Sequence, residues 1–98
     1  MFFFTFLAHP KPSNAAYGQV DGAYVNVWVN DPIEASAEAA AQELVEQTGW
    51  DVERREDVLP LAADHYAEGE AGREYMQQAR EDGICAVFHR WNADAPDE

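Results

Sequence analysis

Three kinds of side chain in this sequence could do chemistry: a thiol and imidazoles, an arginine pair, and many carboxylates. Cys85 and His89 lie in ICAVFHRW, where Ile84, Ala86 and Phe88 alternate with Cys85, Val87, His89 and Trp91 as in a strand. The thiol and the imidazole therefore share one side. They are four residues apart, about 13 Å at roughly 3.3 Å per residue, too far for a nucleophile–base pair or a shared metal. His89 could meet His9 across strands and serve as a base near its usual pKa, which would make a small enzyme. A lone histidine at a strand end is more often a hydrogen-bonded or exposed structural residue, so no catalytic residue is assigned. Met76 reads as core filler rather than a ligand. Arg54-Arg55 is a candidate anion site, but Glu53 and Glu56 stand beside it to neutralise it. The sequence has no G-x-G-x-x-G, no P-loop and no D-x-[DN]-x-[DN]-G loop, so neither a cofactor nor a metal is expected.

The carboxylates are the dominant feature. The chain carries 19 acidic and 6 basic side chains, a net charge of −13, and Lys11 is its only lysine. Direct contact with nucleic-acid phosphates needs Lys and Arg, and an anionic membrane repels such a surface. Three readings of the acidity remain. It can serve solubility or adaptation to high salt. It can be a surface that docks on a basic protein, as an inhibitor, an immunity protein or a nucleic-acid mimic would. It can hold divalent cations, a reading weakened by the missing calcium loop. For docking, Glu38 and Glu46 stand out because they project away from the apolar stripe of their helix.

That helix follows the stretch AYVNVWVNDPIEASAEAAAQELVEQTGW, residues 23–50. Val25, Val27 and Val29 alternate with Tyr24, Asn26, Trp28 and Asn30, which predicts a strand with valines on one face. Asp31 then reads as an N-cap, Pro32 as the first helical residue and Glu34 as the capping-box partner. Ile33, Ala37, Ala40, Ala41, Leu44 and Thr48 form the expected core stripe, with Leu44 as its main anchor; Glu38, Gln42 and Glu46 face water. Gly49 is the expected left-handed stop.

Residues 2–8, FFFTFLA, are apolar on both faces, which suggests an inner strand or one covered on both sides. Residues 9–22 hold Pro10, Pro12 and Asp21-Gly22 and form a long connection carrying His9, Lys11 and Tyr17. WDVERREDVLPL predicts a polar edge strand with Arg54 and Glu56 in phase with Val52 and Val58, and Glu53, Arg55 and Asp57 opposite. A short turn with Asp64, His65 and Tyr66 leads through Gly69 and Gly72 to a second helix over about 71–82. Tyr75, Met76 and Ala79 face inward, and Gly83 is the stop.

The fold class predicted is α+β: a two-layer sandwich of a four-stranded mixed sheet with two helices on one face, in the order β-β-α-β-α-β. Residues 1–91 form a single domain, and 92–98 an acidic, disordered tail. One cysteine excludes an internal disulfide. The start MFFFTFLAHP lacks a basic region and a cleavage pattern and is too short to span a bilayer. A cytoplasmic protein is expected. With both helices over the valines, the other sheet face would expose Tyr24, Trp28, Cys85, Val87, His89 and Trp91. Such an apolar patch would bury itself in a homodimer through the open sheet face, unless the 9–22 loop or the tail covers it. The expected function is a non-enzymatic acidic binding module, with a basic protein as partner and Tyr24, Trp28, His89, Trp91, Glu38 and Glu46 as binding residues. The alternatives are a domain whose acidity is adaptive, or a small enzyme using His89.

Overall fold

The computed structural model describes residues 1–67 and 69–91, so the 92–98 tail lies outside the described residues. Its elements follow the expected order: β1 (Phe2–Pro10), β2 (Gly22–Val29), α1 (Glu34–Gln47), β3 (Trp50–Pro60), α2 (Ala71–Asp82) and β4 (Ile84–Trp91). The four strands form one sheet in the order β3-β1-β2-β4, an α+β fold.

Two expectations about the sheet are corrected. It is antiparallel throughout rather than mixed, because β1 inserts between β2 and β3 and pairs antiparallel with both. The helices lie on opposite faces rather than on one. β2 and β3 run parallel with β1 between them, so α1 is a crossover of the kind that handedness governs. β3 and β4 are the two edges and run antiparallel, so α2 is under no such rule. It takes the face that α1 leaves bare.

The first core lies under α1. Phe4, Phe6, Ala8, Ala23, Val25, Val27 and Val29 meet Ala37, Ala41, Val45 and Trp50. Phe4 and Phe6 stack at 5.7 Å, and Trp50 packs on Phe88 at 5.7 Å. The buried residues of α1 are Ala37, Ala41 and Val45, while Leu44 is only half-buried and Ile33 is 60% exposed. The helix is thus rotated from its expected register, and Val45 replaces Leu44 as its anchor. The cause lies on β3, where the Arg55 Nη1 donates to Glu38 Oε1 at 2.5 Å and draws that side of α1 toward the sheet edge. The start is shifted too. Helical structure begins at Glu34, and Asp31 accepts a bond from the Ile33 N–H at 2.8 Å as an Asx turn, not as the N-cap. Gly49 has φ +96° and closes the helix as expected.

The second core lies under α2, where Trp28, Leu61, Met76 and Ala79 are buried together with Phe3, Tyr66, Tyr75, Cys85 and Val87 around them. Trp28 sits 5.0 Å from both the Phe3 and the Tyr75 rings, and its Nε1 donates to Tyr66 Oη at 3.0 Å. Tyr66 is admitted by Gly72, where any Cβ would collide with the Tyr66 ring.

β3 is an edge strand as its charges suggested, but its phase differs. Register shifts between Thr5 and Phe6 and between Leu7 and Ala8 leave Glu56 and Glu53 unpaired. Arg55 therefore joins Val52 and Val58 on the α1 face, and Arg54 faces the other way. No alternation template anticipates an extra residue of this kind.

Two substitutions test this packing by urea denaturation. Trp50→Ala, at 2% exposure, is expected to cost about 3–5 kcal/mol, and Leu44→Ala less than about 2 kcal/mol; a larger loss at Leu44 would restore the unrotated helix. Gly72→Ala would ordinarily favour a helix by up to about 1 kcal/mol. Here it is expected to lower the melting temperature, because the new methyl displaces Tyr66 from Trp28; an unchanged or higher value contradicts the Tyr66 packing.

Candidate functional site

The sheet face beneath α2 can be read in rows from the strand register. Leu59, Phe3, Trp28 and Cys85 form one row, Asp57, Thr5, Asn26 and Val87 the next, and Arg54, Leu7, Tyr24 and His89 the third. α2 and Tyr66 cover Phe3, Trp28 and Cys85 of the first row, while Leu59 at the β3 edge is 41% exposed. Trp28 is only 4% exposed, which removes it from any binding surface. The sequence signal for an open face failed there because α2 crossed to it. Neither the 9–22 loop nor the tail was needed to cover Trp28. In the middle row Thr5 Oγ1 donates to Asn26 Oδ1 at 3.0 Å. This polar pair marks the boundary of the covered half.

Beyond that boundary the face is open. Tyr24 is 44% and Trp91 39% exposed, and His89 is exposed opposite Tyr24. Leu7, only 8% exposed, flanks Tyr24 on the β1 side. Trp91 lies over Gly22, whose missing Cβ leaves room for the ring: a Cβ there would stand 2.6 Å from Trp91 Cζ2. Asp21 N–H donates to the Trp91 carbonyl at 3.0 Å and holds the strand end. Three of the four binding residues expected on this face, Tyr24, His89 and Trp91, are thus brought together. They form a platform of two exposed aromatic rings and an imidazole, suited to stacking and hydrogen bonding.

The chemistry-bearing residues do not converge. Cys85 is in the covered row, two rows from His89. Burial, and secondly the Asp82 charge, raise its thiol pKa, which disfavours the thiolate a nucleophile needs. His9 Nε2 lies 3.4 Å from Glu53 Oε2 at the β3 edge, and His65 packs edge-on against Tyr66 at 4.7 Å. Arg54 donates to Glu56 at 2.5 Å, and that hydrogen bond, with the Glu56 charge after it, raises the Arg54 pKa. Arg55 is held by Glu38, with Glu34 at 4.0 Å. The arginine pair is thus engaged by carboxylates rather than open to an anion. Among the described residues no group of three metal-ligating side chains occurs, and no polar or charged residue is buried. Among the described residues no helix is long and apolar enough to cross a membrane.

The loop folds into successive turns and is tied down beside β3, at the same end of the sheet as Trp91. Lys11 N–H and Asn14 Nδ2 both donate to the Gly49 carbonyl, at 2.9 and 2.8 Å. Lys11 Nζ lies 4.0 Å from Asp51. Val20 packs on the α1 core, and Tyr17 remains 58% exposed.

The carboxylates of α1 divide in two. Glu34 and Glu38, in its first half, face Arg55, so Glu38 does not stand in water alone as expected. Glu43 and Glu46, in its second half, are exposed. Glu43 accepts a hydrogen bond from the neutral Gln47 at 3.0 Å. The last turn holds no basic residue, although the negative end of the helix dipole lies there. Glu43 was missed in the sequence because the expected helix register set it beside the core stripe. Comparison with family models, with curated proteins and with solved structures finds no match to this chain, so the site rests on its own geometry.

Proposed function

We propose that this protein is a non-enzymatic binding module that docks a basic partner protein on the second half of α1, through Glu43 and Glu46. The observation that carries the reading is the placement of those two carboxylates. α1 contains four glutamates and no basic residue, and the cation that answers its charge, Arg55, stands at the first half. Glu46 lies in the last turn, where a negative side chain opposes the helix dipole at a cost of about 0.3–1 kcal/mol. Lysine or arginine there would favour the fold. A partner that brings cations to this turn supplies what the chain itself omits, and complementary charge speeds and orients such an encounter. The Tyr24, His89 and Trp91 platform lies on the opposite sheet face and is not required for this contact.

The test separates binding from folding. Glu43→Lys with Glu46→Lys is expected to raise the melting temperature, because both changes suit the helix end and reduce the net charge. The same double variant, used as bait at low ionic strength, is expected to lose the basic proteins that the wild-type chain captures. Equal capture by both baits would leave the acidity to solvation or salt adaptation and remove the docking role.

A further inference from the structure

The two edges of the sheet are built in opposite ways. On β3, residues 53–57 are five consecutive charges, and two register shifts break its ladder, devices that stop an edge from pairing with another strand. β4 has neither. Ile84 through His89 contain no carboxylate, lysine, arginine, proline or glycine, and the register with β2 is unbroken over all eight residues. Ile84, Ala86 and Phe88 on one side and Cys85 and Val87 on the other are all only half-buried. Asn30 N–H donates to the Gly83 carbonyl at 2.9 Å, and antiparallel alternation from that bond turns the main-chain groups of Ile84, Ala86, Phe88 and Arg90 outward. On the α1 side a groove with Val29, Ala40, Leu44 and Ile84 on its floor and Asp31, Glu43 and Asp82 on its rim runs beside the start of the strand.

We propose that β4 pairs antiparallel with β4 of a second copy about a twofold axis, joining the two sheets into one of eight strands. Charge selects the occupant. A basic partner is drawn to the acids of α1, whereas β4 is a neutral strip on a chain of net charge −13, the strand along which a second copy brings no charge of its own between Ile84 and His89. The outward residues of the neutral strip, Ile84, Ala86 and Phe88, centre on Ala86, which sets the twofold axis there. Ile84 then faces the partner's Phe88, and Cys85 the partner's Val87. Because the outward main-chain groups belong to even-numbered residues, this last pair is of the close, non-hydrogen-bonded kind, with Cα atoms about 4.5 Å apart. That separation suits a disulfide.

Sedimentation equilibrium of the full chain at tens of micromolar, in moderate salt, is expected to give twice the monomer mass. Ala86→Pro removes an outward N–H without touching a bond to β2 and is expected to give a folded monomer by circular dichroism. Val87→Cys, with native Cys85 opposite, is expected to crosslink into a covalent dimer under mild oxidation by diamide, while the wild-type chain does not. A wild-type monomer, a folded Ala86→Pro dimer, or a Val87→Cys chain that stays uncrosslinked overturns the proposal. Should Ala86→Pro fail to fold, the crosslink decides alone.

Discussion

The structure depends on one constraint: β1 is apolar on both of its faces. Phe4 and Phe6 point one way and Phe3 and Leu7 the other, and all must leave water. A strand of this kind cannot lie at an edge or in a sheet with one bare face. It takes the central position, with β2 and β3 on either side. It then needs cover above and below, and the chain has two helices with which to supply it. α1 is broad on its alanine side and settles close on the valines of β2. α2 brings Tyr75 and Met76, larger side chains that fill the space over Phe3 and Trp28. Burial of this much aromatic surface is the dominant favourable term in a domain of this size.

Placing the helices on opposite faces leaves each only part of a sheet to cover. α1 packs on β3, β1 and β2, and α2 on β4 and β2. The uncovered portions are therefore diagonal: β4 on the α1 side, and β3 on the α2 side, where Leu59 is 41% exposed. Tyr24 and His89 lie two rows beyond Trp28, and Trp91 further still, past the reach of the short α2.

Much of this was legible in the sequence, and the exceptions share a cause. The six elements, their order, the glycine stops at Gly49 and Gly83 and the edge position of β3 follow from local patterns. The face of each helix does not, because it is set by a distant strand. The two-faced pattern of FFFTFLA already calls for cover on both sides, and the handedness rule constrains only α1, because β3 and β4 run antiparallel. The rotation of α1 was beyond the sequence for the same reason. It turns on Arg55 reaching Glu38 across 17 positions, and Arg55 is aimed there only by an unpaired residue in β3. Of the candidate residues, Tyr24, His89, Trp91 and Glu46 are exposed, while Trp28 and Glu38 are engaged by partners that local spacing does not reveal.

The same chain thus handles charge in two ways, and the difference bears on specificity. The cations Arg54, Arg55 and Lys11 are all used near β3, where each stands within 4.0 Å of a carboxylate. There the charges neutralise one another and deny the edge to other strands. At the second half of α1 the carboxylates stand without cations, and over most of β4 there are no charges at all. A uniformly acidic coat would repel every copy of the chain from every other in all orientations. Removing acids from a single strand lowers that repulsion in one orientation only, the one in which two such strands lie side by side. In the β4 pairing proposed above, the net charge discourages indiscriminate association and the neutral strand specifies the arrangement.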